Sequence, residues 1–277
     1  MTTVGACLRA GDELPGDSPR RDAEILLGHL LEKPRSWLYA WPEHRLSAAQ
    51  AADFAALLEQ RRCGTPVAYL TGEREFWSLP LRVTEATLIP RPETETLVEW
   101  ALELVLPATA AVLDLGTGSC AIALALATER SAWQVTATDV SAAALAVAED
   151  NARRLCPGRV RLLSSDWFAA VSGERFELIV SNPPYVESDS PWLGSGDVRF
   201  EPRSALVAGD SGLDDLRQLA AGAPAHLRPG GWLLLEHGFQ QGEAVRQLLV
   251  AAGFDQVTTR RDLGGRERIT GGRRGAG

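Results

Sequence analysis

Asn182-Pro183-Pro184-Tyr185 follows the apolar run Phe176-Glu177-Leu178-Ile179-Val180, which reads as a buried strand. A polar amide, two prolines and an aromatic therefore stand at the C-terminal end of a strand, the edge at which open parallel sheets bind their ligands. The prolines remove two backbone donors and stiffen the loop, and Pro184 drives Pro183 towards extended backbone. The Asn182 amide and the Pro183 carbonyl can then be held as acceptors aimed at one spot. Two fixed acceptors suit a planar NH2 group with its two donors, and the Tyr185 ring can cover a flat substrate face. The chemistry that fits is reaction at an amide or exocyclic amine nitrogen. The plainer alternative is a turn closed by prolines, with Asn182 as a local cap.

A second constellation precedes it. Asp114-Leu115-Gly116-Thr117-Gly118-Ser119 lies at the turn from one strand into a helix. Gly116 and Gly118 allow a tight bend and close approach of a ligand. Asp139 ends the next strand, 25 residues after Asp114, where an acid can accept both hydroxyls of a ribose. Ala121 stands where a dinucleotide loop has its third small residue, so glycine spacing alone does not exclude NAD. Asp114 discriminates better: a carboxylate beside the loop repels pyrophosphate but suits the ammonium of S-adenosylmethionine, which carries no phosphate. Ser165-Asp166-Trp167-Phe168 ends a third strand. Asp166 can accept from an adenine amine and Trp167 can wall the ring, although a strand-end cap with a core aromatic has the same pattern.

These residues need a sheet to bring them together. Apolar runs at 111–115, 134–138, 160–163, 176–180 and 231–236 alternate with helical segments at 120–129, 141–154, 213–226 and 243–252. Two short strands near Val257 and Ile269 close the chain. This is a mostly parallel sheet with helices on both faces. Before it, residues 1–74 read as a small helical domain. Ala23, Leu26, Leu27, Leu30 and Leu31 share one helix face, and Ala51, Phe54, Ala55 and Leu58 another. Ser47 and Gln50 form a capping box, and Gly64 a C-cap. Such a domain is either structural or a clamp that selects a partner. Residues 75–90 read as a hairpin-like connector to a catalytic domain at 91–277. It opens with a helix whose apolar face runs from Leu97 to Val105. Pro92, Glu93 and Glu95 suit that helix's first turn. The Gly- and Arg-rich tail, Gly271 to Gly277, is expected to fray.

Composition narrows the class. The 277 residues are 45% hydrophobic and 23% charged, as in ordinary globular proteins. A net charge of −8 gives no overall drive towards nucleic acid or anionic membrane. Cys7, Cys63, Cys120 and Cys156 lack paired spacing and read as reduced thiols of a cytoplasmic protein. The four histidines show no metal-ligand spacing, and His237, after a strand, reads as packed or solvated. Met1 to Asp17 has no apolar signal core.

The chain resembles the S-adenosylmethionine-dependent class I methyltransferases. More closely, it is similar to the family that methylates the side-chain amide of a glutamine in bacterial peptide chain release factors. The residues that carry the resemblance are 22–27, 66–72, 88–95, 114–119, 181–186 and 235–238. The resemblance implies a seven-stranded Rossmann-like α/β sheet and S-adenosylmethionine held by Gly116, Thr117, Gly118, Ser119, Cys120, Asp139, Trp167 and Asn182, besides Asp114 and Asp166. It also implies a substrate glutamine in a Gly-Gly-Gln loop, held by Asn182, Pro183, Pro184 and Tyr185. No metal and no direct nucleic-acid contact is expected. Cys120 departs from a common glycine and is expected to crowd the methionine part of the cofactor slightly, the helix having begun by that point. An amide nitrogen is a poor nucleophile and no strong base is evident, so positioning and acceptors that strengthen as charge grows on nitrogen would carry the reaction. The rivals are an adenine or cytosine N-methyltransferase acting on nucleic acid, which needs a basic groove, and a non-catalytic regulator, against which intact Asn182 and Tyr185 argue.

Overall fold

Strand β3 (Ala111–Leu115) sets the architecture. Its residues alternate between two apolar layers, Val112 on one face and Leu113 and Leu115 on the other, and these three are fully buried. A computed structural model, describing residues 2–16 and 18–275, places it at the centre of a seven-stranded sheet. From β3 the chain runs outward through β4 (Gln134–Asp139) and β5 (Val160–Ser164), both parallel to it. It then returns to β6 (Phe176–Ser181) on the other side of β3 and continues to β7 (Leu227–Glu236), again parallel. Strands β8 (Phe254–Arg261) and β9 (Glu267–Arg274) close the edge antiparallel, giving the order β5-β4-β3-β6-β7-β9-β8.

Helices cover both faces. On the Val112 face lie α6 (Glu95–Glu103), α7 (Ala121–Glu129) and α8 (Ala142–Leu155). On the Leu113 face lie α9 (Asp214–His226) and α10 (Gly242–Ala251). Helix α7 is buried from Ala121 to Ala127, and its Ala, Ile and Leu side chains offer no polar face to water. Before the sheet, β1 (Glu73–Phe76) and β2 (Leu79–Arg82) form a hairpin. Its turn residues Trp77 and Ser78 both have positive φ, 52° and 60°. The Trp77 N–H donates to Glu95 Oε1 at 2.9 Å, which holds the turn onto the start of α6.

The chain divides into two compact units: residues 1–73 with Pro191–Phe200, and Arg74–Ser190 with Glu201–Gly277. In the first, α1 (Val4–Ala10), α2 (Pro19–Leu31), α3 (Arg35–Ala40), α4 (Ala48–Arg62) and α5 (Val67–Thr71) enclose a separate core around Leu26, Leu27, Leu38, Phe54 and Leu58. Ser47 Oγ accepts from Gln50 N at 3.1 Å while Gln50 Oε1 accepts from Ser47 N at 2.9 Å, the expected capping box. Buried Arg61 donates to Asp22 at 2.8 Å and to Asp197 at 2.9 Å, and Arg199 donates to the Cys63 carbonyl at 2.8 Å. These bonds tie the ten-residue excursion 191–200 to the helical unit, whereas the sequence pattern places it in the catalytic domain at 91–277.

Two further expectations are corrected. Val105 lies beyond α6 and is fully exposed. The tail does not fray where it can be described: Gly271 to Arg274 belong to β9, and Gly271 pairs with Leu234. Ala276 and Gly277 lie outside the described residues. The reason for glycine is close approach. A Cβ on Gly271 would lie 2.5 Å from Leu234 Cδ2 and 2.7 Å from the Trp100 ring. Gly271→Ala is therefore expected to destabilise the sheet unit by about 1–3 kcal/mol. Thermal denaturation checks this. An unchanged Tm would mean that Trp100 shifts at no cost.

Candidate active site

The loops after β3 and β6 leave in opposite directions, and the crevice between them is the expected ligand position of such a sheet. Gly116 and Gly118 in the first loop have φ of 69° and 55°. The loop is tied to the end of β4: Thr117 N donates to Thr138 O at 2.9 Å, and Gly118 N donates to Asp139 Oδ2 at 2.9 Å. Asp139 Oδ1 accepts from Ser141 N at 2.9 Å, at the start of α8. Both oxygens are thus fixed, and each keeps a lone pair for a ligand.

A cleft of about 250 Å³ opens here. Of the sequence-predicted residues, Gly116, Thr117, Gly118, Ser119, Asp139, Asp166, Trp167, Asn182 and Pro184 line it. Asp114, Cys120, Pro183 and Tyr185 do not. Asp114 is fully buried on the α7 face. Its Oδ2 accepts from Thr117 Oγ1 at 2.6 Å, while Oδ1 has no hydrogen-bond partner. Burial pushes its carboxyl up to about 7. Cys120 has φ 71°, precedes α7 as its N-cap and buries its side chain completely. The helix has not begun at Cys120, contrary to the sequence reading, and its side chain packs into the core instead of crowding the cleft. The departure from glycine falls on backbone conformation, since a left-handed non-glycine residue costs about 1 kcal/mol or more.

Sequence reading missed several lining residues. Thr94, between the two glutamates that were singled out, faces the cleft, whereas Glu93 and Glu95 do not. Val140, 70% exposed, follows Asp139 and presents an apolar surface. An exposed valine between a strand end and a helix cap was the available signal. Asp215 reaches the cleft from the first turn of α9, and no local pattern marks it. His237 is structural: it is buried, with Nε2 2.7 Å from Thr270 Oγ1 and Nδ1 2.8 Å from Gly238 O.

At the end of β6, the Asn182 NH2 donates to Thr94 Oγ1 at 3.3 Å, which leaves Oδ1 as the open acceptor. Tyr185 is anchored at three points. Its N–H donates to Leu206 O at 3.1 Å, its carbonyl accepts from Gln241 Nε2 at 3.1 Å, and its hydroxyl donates to Glu236 Oε1 at 3.3 Å. Burial, and the Glu236 charge beside it, push the phenol above its ordinary value. Glu236, the last residue of β7, is 1% exposed. Burial pushes its carboxyl up to about 7, against the opposing influence of the Thr94 hydroxyl and Arg268.

The buried Asp114 makes stability depend on pH. In the fold it keeps its proton to about 7, whereas an unfolded aspartate releases it near about 4. Between those values the folded chain binds more protons than the unfolded chain, so stability falls as pH rises. Asp114→Asn removes this dependence. Its stability relative to wild type is expected to increase by on the order of 2–4 kcal/mol between pH 4 and pH 8. Urea denaturation at both pH values checks it. A constant difference would mean that Asp114 titrates alike in the folded and unfolded chains.

Two family descriptions match the chain in order, a PrmC N-terminal domain over residues 7–72 and a methyltransferase small domain over residues 94–191. The chain is 55% identical to a release factor glutamine methyltransferase of Salmonella typhimurium over 257 residues, covering 93% of each chain. It is 54% identical to that of Pseudomonas aeruginosa over 270 residues, covering 98% of each. A methyltransferase structure from Pyrococcus furiosus matches with a TM-score of 0.55 at 19% identity, covering 81% of this chain and 99% of that one, which supports the fold alone. A glycine loop, a clamped acid and an oriented asparagine at one sheet edge, together with identity of this size over nearly the full length, place the chain in the release factor glutamine methyltransferase family.

Proposed function

We propose that the cleft binds S-adenosylmethionine and that the chain methylates the side-chain amide nitrogen of the glutamine in the Gly-Gly-Gln loop of a peptide chain release factor. The observation that carries the reading is Asn182: its NH2 donates to Thr94, which leaves Oδ1 as an acceptor on a residue that lines the cleft, as do Gly118 and the Asp139 that clamps its loop. Charge supports the cofactor. Asp139, Asp166 and Asp215 line the cleft, and no Lys or Arg does among the described residues. That lining disfavours a pyrophosphate and favours a cationic cofactor without phosphate. Asp139 would hold the ribose, Val140 and Trp167 would flank the adenine, Asp166 would accept from its amine, and the backbone at Gly116 to Ser119 would bound the methionine part.

When bound, the cofactor supplies an electrophilic methyl group on a sulfonium. Asn182 Oδ1, on the cleft wall, accepts one amide hydrogen of the substrate glutamine and aims its nitrogen, and the Pro183 carbonyl, outside the cleft lining, is the acceptor proposed for the other. These acceptors strengthen their hold as positive charge develops on that nitrogen, which lowers the barrier. Fixing the two reactants contributes further, on the order of several kcal/mol. Pro184 walls the cleft, and Tyr185, anchored at three points, keeps the loop rigid. The helical unit at residues 1–73 offers the factor a second contact surface.

Mass spectrometry of a release factor after incubation with enzyme and cofactor is expected to show one added methyl on that glutamine. Label on DNA, or on no protein, would favour the nucleic-acid reading. Asp139→Ala is expected to weaken cofactor binding by about 1.5–3 kcal/mol, measured by calorimetry. An unchanged Kd would remove Asp139 from the site. Asn182→Ala is expected to abolish most methyl transfer while lowering cofactor affinity much less, and single-turnover rates near wild type would refute its role.

A further inference from the structure

The Asn182 acceptor has to be oriented, because an asparagine amide turned over presents NH2 where the substrate needs an oxygen. Thr94 cannot set that orientation alone. Its hydroxyl carries one proton and can serve Asn182 either as acceptor from the NH2 or as donor to Oδ1. The first leaves Oδ1 for the substrate; the second leaves the NH2, which opposes the hydrogens of the substrate amide. Something must claim the Thr94 proton.

Glu236 is placed to do so. It ends β7, is 1% exposed, and lies beside Thr94, itself 4% exposed. Its Oε1 accepts the Tyr185 hydroxyl at 3.3 Å, and its Oε2 has no hydrogen-bond partner. A buried carboxylate oxygen short of a donor has the strongest claim on a neighbouring hydroxyl proton. The carboxylate has four acceptor sites and, while ionised, nothing to donate, so it fixes the sense of both hydroxyls at once.

We propose that Glu236 is a positioning residue for methyl transfer: it takes the Thr94 proton, leaves Thr94 Oγ1 only able to accept from the Asn182 NH2, and so holds Asn182 Oδ1 towards the substrate amide, while its other oxygen fixes Tyr185. The inference rests on the reading that the substrate is an amide. Glu236 touches no reacting atom and acts through Thr94, 88 residues from Asn182 in sequence.

The test uses the full chain and a whole release factor. Glu236→Gln keeps the shape but introduces an NH2 that must donate into the same network. It is expected to lower kcat by about tenfold or more with KM for the factor changed by no more than about threefold. The Kd for S-adenosylhomocysteine, read by calorimetry, should stay within about twofold, since Glu236 does not line the cleft. Thr94→Val should lose a similar factor, and Thr94→Ser should recover most of it by restoring the hydroxyl. The double variant Glu236→Gln with Thr94→Val should be little slower than the slower single variant, because both break one relay. A Glu236→Gln enzyme within about twofold of active wild type, or losses that multiply in the double variant, would overturn the assignment. If Glu236→Gln fails to fold, the Thr94 pair decides, and equal rates for the Val and Ser variants overturn it. A wild-type enzyme that leaves the glutamine unmodified overturns the substrate reading, and this assignment with it. A fast variant of an active enzyme overturns the assignment alone.

Discussion

The reversal of strand order at β3 is the constraint on which the site depends. The chain leaves β3 towards β4 and β5, then returns past β3 to form β6 on its other side. The loops after β3 and β6 therefore part, and neither can fill the space between them. Everything assigned to the site is attached to that gap. The Gly116 to Ser119 loop follows β3, Asp139 ends β4, Asp166 and Trp167 follow β5, and Asn182 follows β6. The parallel register brings these ends level, with Leu115 beside both Thr138 and Ser181. Apolar helices on both faces hold the strands there. The most buried of them, α7, starts at the glycine loop itself.

Carboxylates sit inside this apolar frame at a cost. Asp114 and Glu236 follow Val112-Leu113 and Leu234-Leu235 on the same face of the sheet, and each leaves one oxygen without a hydrogen-bond partner. Burial raises both carboxyls to about 7. Neither is needed for packing, because a leucine or asparagine would satisfy a core more cheaply. Each instead lies one hydroxyl away from the cleft. Thr117 connects Asp114 to the glycine loop, and Thr94 lies between Glu236 and Asn182. In the reading proposed above, Glu236 acts through Thr94 in this way when ionised, and the Thr117 hydroxyl is held by Asp114 on the other side of the cleft.

The parts of this that were legible in the sequence are those governed by local pattern. Apolar runs and their helical spacing disclosed all seven strands of the main sheet, and the glycines, Asp139 and Asn182 announced themselves by standing at strand ends. What was not legible depends on contacts distant in sequence. Asp215 is an ordinary helix-start acid until α9 folds against β7. Thr94 looked like filler between two glutamates because a helix's first turn explains acids and says nothing of a threonine. Cys120 was misread because a left-handed N-cap cannot be told from a first helical residue without φ. The tail was misread because glycines reduce intrinsic order. Here Gly271 is the residue that lets Trp100 lie against β9.

The acceptor role proposed for Asn182 also bears on how the segment after it is built. An amide held by two acceptors is sensitive to small errors in their separation, so the loop bearing both must not breathe. Its downstream half leads into the excursion 191–200, which belongs to the helical unit. The sheet unit isolates the motif before that point. Tyr185 N and Val186 N both donate to Leu206 O, at 3.1 and 2.8 Å, and Ala208 N donates to Val186 O at 3.0 Å, so the strands entering and leaving the excursion are stitched together at its base. On the return side, Glu201 accepts from Ile89 N at 3.1 Å and from Arg91 Nη2 at 2.5 Å, which ties the segment to the stretch carrying Thr94. The same backbone that carries the excursion therefore fixes Asn182 from one side and its orienting threonine from the other.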